Sequence, residues 1–177
     1  MDVMPTDNRT YAEIAPGDSA SLVRTLTRDD IELFAIVSGD TNPSHLDPAY
    51  AMGAAHGIVA HGMWGGALVS AVLGTRLPGP GTVYVSQDLQ FQAPIAAGDT
   101  ITTTVTARDK RPGGQVAFDC ACVNQAGTAV ITGTAVVVAP AERLSGTLAE
   151  LPDIRLGRHR QFRDLLAQLA LPSRLAR

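Results

Sequence analysis

Thiols, aromatic rings and lysine are all scarce in this chain. Of 177 residues only two are cysteines, Cys120 and Cys122, and aromatic side chains make up 5%. So few thiols exclude a disulfide-stapled scaffold. The two alternate along a strand pattern, so they share a face but are poorly placed to bridge each other. With alanine neighbours and no metal-ligand partner nearby, they read as core filler in a reducing compartment. Lysine occurs once, at Lys110, and 14 basic residues against 17 acidic ones leave a net charge of -3 with no basic block. That excludes the electrostatic footprint of nucleic-acid binding. The first ten residues carry Asp2, Asp7 and Arg9 and no apolar run, so no secretory leader is expected.

A long uncharged run is present. Residues 51–74 lack Asp, Glu, Lys and Arg and reach membrane-spanning length. The run also holds six glycines and two histidines, with no aromatic belt or flanking basic cluster. A buried helix and its approach loop explain it better. A cytoplasmic protein without membrane contact is expected, and 177 residues suffice for one domain with a real core.

The most informative stretch runs from Ser38 to Met63: Ser-Gly-Asp-Thr-Asn-Pro-Ser-His-Leu-Asp and, after a spacer, Val-Ala-His-Gly-Met. It places a carboxylate, Asp40, and an imidazole, His45, five residues apart on a turn. Asn42 precedes Pro43 and so leaves the α region, which ends any preceding helix. Past the spacer, His61-Gly62 opens an uncharged segment long enough for a helix. An acid, an imidazole and a glycine-begun helix end can together activate water and hold a developing oxyanion.

Around that stretch, Ser19–Thr27 alternates as a strand. Thr27-Arg-Asp-Asp reads as a capping box in which Asp30 stands in for Glu. Ile31, Phe34, Ala35 and Ser38 then repeat at helical spacing up to Gly39. Pro48 opens a further turn of helix. Residues 62–73 carry no charge and many small side chains, predicting a buried helix that a sheet approaches closely. Residues 82–92, 100–108, 115–124 and 128–138 read as strands separated by Gly- and Pro-rich turns. Their short connections predict an antiparallel meander among the last strands. The count is about five strands around a single buried helix, an α+β layer architecture. Residues 139–150 read as a linker. Phe162, Leu165, Leu166 and Leu169 beyond it predict an amphipathic helix beside Arg158, Arg160 and Arg163, packed on the domain or on a partner subunit. The division is thus residues 1–140 as the domain and 141–177 as linker plus C-terminal helix.

Blander readings compete at each position. An Asp after Ser-Gly often only terminates a helix in an Asx-turn, and a lone His is commonly a satisfied polar residue. A metal site from His45, His56 and His61 fits no common ligand spacing, so no metal is expected. His56 is expected in the loop near the pocket and His159 in solvent. Gly79-Pro-Gly81 is a turn rather than a phosphate loop, and no Gly-x-Ser-x-Gly elbow occurs.

Phe34-Ala-x-x-Ser-Gly-Asp40-x-Asn42-Pro43-x-His45-x-Asp47, followed by Ala60-His61-Gly62-Met63, resembles the MaoC-like (R)-specific enoyl-CoA hydratases of the hot-dog fold. Leu77-Pro-Gly-Pro-Gly81-Thr, Phe91-x-x-Pro94 and Gly98-Asp99-Thr100 are similar to the same family, and the likeness spans residues 18–138. The resemblance implies an antiparallel sheet wrapped round a central buried helix. It also implies reversible syn hydration of a trans-2-enoyl-CoA to the (R)-3-hydroxyacyl-CoA, in fatty acid or polyhydroxyalkanoate-type metabolism. Coenzyme A would enter only as part of the substrate, with no other cofactor, and the usual assembly is a homodimer joining two sheets edge to edge. The matching positions imply Asp40 and His45 as the catalytic pair and the Gly62 amide as the oxyanion donor. Asn42 and His61 would be supporting residues, Asn42 fixing the turn and His61 shaping the pocket. The rival readings are a hot-dog acyl-CoA thioesterase and a non-catalytic acyl-thioester-binding or dimerisation module. Against the thioesterase, such enzymes generally place a carboxylate on or near the central helix, and residues 63–74 contain none.

Overall fold

The computed structural model describes residues 5–53 and 57–147, together with positions 149, 152, 154 and 156. The amphipathic segment expected at 158–169, and both His56 and His159, lie outside the described residues. The elements are β1 (Pro5–Asp7), β2 (Ser19–Thr25), α1 (Arg28–Ser38), α2 (Pro43–Leu46), α3 (Pro48–Met52) and α4 (Gly62–Thr75). After them come β3 (Val83–Phe91), β4 (Thr100–Arg111), β5 (Gln115–Val123), β6 (Ala129–Val138) and β7 (Ser145–Thr147).

Local chemistry sets α1 at both ends. The Thr27 hydroxyl accepts from the Asp30 amide while the Asp30 carboxylate accepts from the Thr27 amide, the reciprocal pair of a capping box. Gly39, at φ 75°, closes the helix in the left-handed region that only glycine enters freely, its amide bonded to the Ala35 carbonyl.

Five strands form one antiparallel sheet in the order β2-β4-β5-β6-β3. The hairpins of β4, β5 and β6 make the expected meander. β3 departs from it, because it crosses to the far edge and pairs with β6, Phe91 against Ile131. The returning chain after β3 runs back beneath the start of α4, where the Ala60 amide bonds the Ile95 carbonyl at 2.8 Å and Val59 bridges Ala96. That connection carries the sheet's order and also pins the approach to the central helix.

The core lies between the sheet and α4. Trp64, Leu68, Val69, Val72 and Leu73 of the helix meet Ile101, Val105, Val116, Phe118, Cys122 and Ile131 of the strands. Fully burying such a side chain contributes about 1.5–3 kcal/mol, so these residues dominate the stability of the layer. Gly65 explains how close the layers come, since a Cβ there would collide with the Ile131 side chain. Val116, Phe118, Cys120 and Cys122 all face inward, and both cysteines are free.

Two expectations need correction. The central helix is not buried all round: Met63, Ala67, Ser70 and Gly74 form an open flank, spaced four, three and four residues apart along one side. Those side chains are small or apolar and border a groove, so the absence of charge reflects the groove as well as the core. The stretch read as a linker also contains β7, which pairs antiparallel with β1, Thr6 against Gly146. The buried Asn8 side chain clasps that ribbon, donating to the Pro80 and Glu142 carbonyls and accepting from the Leu144 amide. No helix among the described residues is long and apolar enough to cross a membrane.

Candidate active site

The segment between α1 and α3 is built from short polar side chains that cap one another's backbone. Ser38 Oγ accepts from the Asp40 amide at 3.2 Å, and Asp40 Oδ1 accepts from the Asn42 amide at 3.1 Å. Asn42 Oδ1 then accepts from the Ser44 amide and hydroxyl, capping α2 with Pro43 in its first turn. The expected turn is therefore a one-turn helix, and it carries His45 on its last turn.

This arrangement leaves Asp40 Oδ2 facing His45 Nε2 at 3.9 Å. The carboxylate is half exposed and the imidazole largely covered, at 51% and 12% exposure. His45 Nδ1 lies 2.9 Å from the Val59 carbonyl. A carbonyl only accepts, so Nδ1 carries a proton and Nε2 is the ring atom that faces Asp40. A distance of 3.9 Å is too long for a direct hydrogen bond and suits one bridging water.

His61 sits beside the pair. It is 2% exposed, its Nε2 lies 3.0 Å from the Asp40 backbone carbonyl, and its ring stacks on His45 with centroids 3.9 Å apart. Phe34 of α1 covers it from a second direction, at 5.1 Å. Gly62 follows as the first residue of α4, and no side chain caps that helix. The Trp64 amide bonds back to the His61 carbonyl, and the first-turn amides ahead of it, with the helix dipole, make the helix start a site for negative charge.

Gly62 and His61 line a cavity of about 250 Å³ with Phe91, Pro94 and Ile131. Asp40 and His45 do not line it; His61 stands between them and that space. A second, more apolar groove of about 330 Å³ runs along the open flank of α4 between Phe34, Met63, Ser70, Tyr84 and Gln87. Phe34 connects that groove to His61. Phe34 stands in the motif, but its contact with His61 carried no local signal, and neither did the places of the Val59 carbonyl and Tyr84, since each depends on a contact between distant segments.

Asp40, His45 and His61 each offer one atom of metal-ligating type, all within 4.8 Å of one another. This differs from the His45, His56 and His61 set considered from spacing. The two imidazoles meet face to face at an interplanar angle of 29° instead of converging edge-on at one point. The cluster therefore fits an organic acid–base pair better than a coordination sphere.

A five-stranded sheet curled over one central helix, with an acid–imidazole pair beside the helix start, defines a hot-dog-fold protein of the hydro-lyase type. The profile of the MaoC like domain matches residues 7–124, well over half of the chain. The chain belongs to that family. It is 47% identical over 133 residues to an (R)-specific enoyl-CoA hydratase of Rhodospirillum rubrum, covering 74% of this chain and 92% of that one. It is 36% identical over 141 residues to a 3-hydroxybutyryl-CoA dehydratase of Methylorubrum extorquens, covering 78% and 89%. Its fold matches the unliganded R-hydratase of Pseudomonas aeruginosa with a TM-score of 0.84 and 43% identity, covering 87% of this chain and all of that one.

Proposed function

We propose that this protein is an (R)-specific enoyl-CoA hydratase, adding water reversibly to a trans-2-enoyl-CoA to give the (R)-3-hydroxyacyl-CoA. The observation that carries the reading is the Asp40 Oδ2–His45 Nε2 pair, 3.9 Å apart beside an uncapped helix start.

Conjugate addition of water needs three things at once. The water must lose a proton as its oxygen bonds C3. The carbonyl oxygen must hold the charge that moves onto it as the C2=C3 bond opens. A proton must then reach C2. In this site His45 Nε2 accepts a hydrogen bond from the water and orients it, and Asp40 takes the proton that leaves. Asp40 then returns that proton to C2, so both new bonds form on one face and the addition is syn. The Gly62 amide, with the dipole of α4 behind it, faces the thioester oxygen as it becomes an enolate. Atoms and charge balance without electron transfer, so coenzyme A enters only as the carrier on the substrate. The apolar groove beside Phe34, Ala67 and Ser70 is the natural bed for the acyl chain.

The assembly we propose is a homodimer. β3 is an edge strand of nine residues that exposes Val83, Val85 and Phe91. Long apolar edges are covered in stable proteins, and pairing with a second copy is the simplest cover. Two free, buried cysteines fit a cytoplasmic setting.

Mixing the protein with crotonyl-CoA tests the reaction. Loss of enoyl absorbance without release of thiol supports hydration. Thiol release would instead mean thioester cleavage, and no reaction with any chain length would leave a binding module.

A further inference from the structure

We propose that His61 is a positioning residue that locks the Asp40–His45 pair in register through two separate contacts, one in the plane of its ring and one across its face. The proposal rests on the hydratase reading above.

The in-plane contact is the bond from Nε2–H to the Asp40 backbone carbonyl, at 3.0 Å and across 21 residues of sequence. It matters because the other hydrogen bonds of Asp40 among the described residues are local, to the Ser38 hydroxyl and the Asn42 amide. Those bonds shape the turn but do not say where the turn stands relative to α4. The His61 bond does, since His61 immediately precedes the helix. The second contact is the stack on His45, with centroids 3.9 Å apart and ring planes at 29°. His45 is thus held by its Nδ1–H bond to Val59 in one direction and by the His61 face in another.

The remaining ring nitrogen shows that packing alone does not account for this residue. His61 Nδ1 is buried and has no hydrogen-bond partner among the described residues, and the side chain is 2% exposed. A buried polar atom without a partner is costly, and a phenylalanine or leucine would fill the same space without that cost. An asparagine could make the bond to Asp40 but offers no ring face. Imidazole alone among the side chains of this size combines a flat face with an in-plane donor at that angle.

Two variants separate the contacts. His61→Phe keeps the stack and loses the donor; His61→Asn keeps a donor and loses the stack. With crotonyl-CoA, each is expected to lower kcat about tenfold to a hundredfold, the scale of an ångström-level misplacement of a reacting group. KM is expected to move by less than kcat does, because the acyl groove along α4 stays in place although His61 also lines the cavity beside Gly62. Full kcat in both folded variants would overturn the proposal, and so would a loss seen only in KM. Wild-type protein and Asp40→Asn are measured alongside. An inactive wild type would sink the hydratase reading instead, whereas an active wild type with a dead Asp40→Asn and unaffected His61 variants sinks only the latch. Should neither His61 variant fold, long-range 15N–1H correlation of the wild-type histidine rings decides. The proton of His61 is expected on Nε2, protected from exchange; a proton on Nδ1 would refute the bond to Asp40.

Discussion

Asp40 and His45 meet through one oxygen and one nitrogen, Oδ2 and Nε2, while the opposite atom of each side chain is held by backbone. Asp40 Oδ1 accepts from the Asn42 amide and His45 Nδ1–H donates to the Val59 carbonyl. A single carboxylate thus serves as both turn cap and reactive group. Asn at position 40 retains the capping oxygen but cannot accept a proton. Asp40→Asn and His45→Gln are each expected to lose on the order of a hundredfold to ten-thousandfold in turnover, with thermal unfolding little changed. Steady-state kinetics beside a melting curve checks this, and retained turnover in either folded variant would reject the assignment.

Glycines at two positions should respond differently to the same methyl group. A Cβ at Gly133 would run into the backbone carbonyl of Asp88 on the neighbouring strand. Neither strand can yield without breaking the β3–β6 ladder, so Gly133→Ala is expected to cost about 3 kcal/mol in urea unfolding. At Gly66 the added carbon meets the tips of Met63 and Leu89, at 2.9 and 3.0 Å. Those ends can rotate away, and alanine is favoured over glycine in a helix by about 1 kcal/mol. Gly66→Ala should therefore leave stability within about 1 kcal/mol of wild type.

Acid should loosen the clasp between the chain's N-terminal segment and the segment that joins β6 to β7. Hydrogen bonds from Arg143 and then from Thr10 lower the Glu13 carboxyl from 4.5 to about 2. A lowered folded value means the unfolded chain binds the proton more readily. Glu13 therefore contributes its full stabilisation above about pH 4.5 and loses it as pH falls towards 2. Glu13→Gln is expected to flatten that part of the stability profile by lowering the neutral region towards the acid one. Urea midpoints between those two pH values, measured on both proteins, provide the comparison.

Buried thiols should be silent. Burial is the main cause that pushes Cys120 up to about 11, and it raises Cys122 as well. At pH 8 neither forms the thiolate that attacks a disulfide reagent. Folded protein is expected to give no fast reaction, and denatured protein two thiols per chain. A rapid native-state thiol would contradict the packing of β5.

Much of this was legible in the chain because the signals were local. The capping box at Thr27, the stop at Gly39 and the turn at Asp40–Asn42 each operate over four residues or fewer, and residue type alone announces them. The hairpins of β4, β5 and β6 were equally readable from their glycine turns. What escaped depends on partners far apart in sequence. β3 lies beside β6 rather than β4 because of where the 92–99 connection runs, and nothing within β3 encodes that. The open flank of α4 has the same uncharged composition as its buried side, so the two could not be told apart. His61 was readable as a neighbour of the site. Its stack on His45 and its bond to Asp40 required the fold.

The ribbon of β1 and β7 also has a mechanical meaning. Pro5 and Thr147 are register partners at one end of it, so tension applied at those two points peels the strands apart one pair at a time, towards Asp7 and Ser145. Three backbone groups gripped by Asn8 bear the load next. Behind that grip the Arg9 amide bonds the Pro78 carbonyl and the Tyr11 amide the Pro140 carbonyl, so a pull on the ribbon meets several ties before it reaches the five-stranded sheet and the reactive pair.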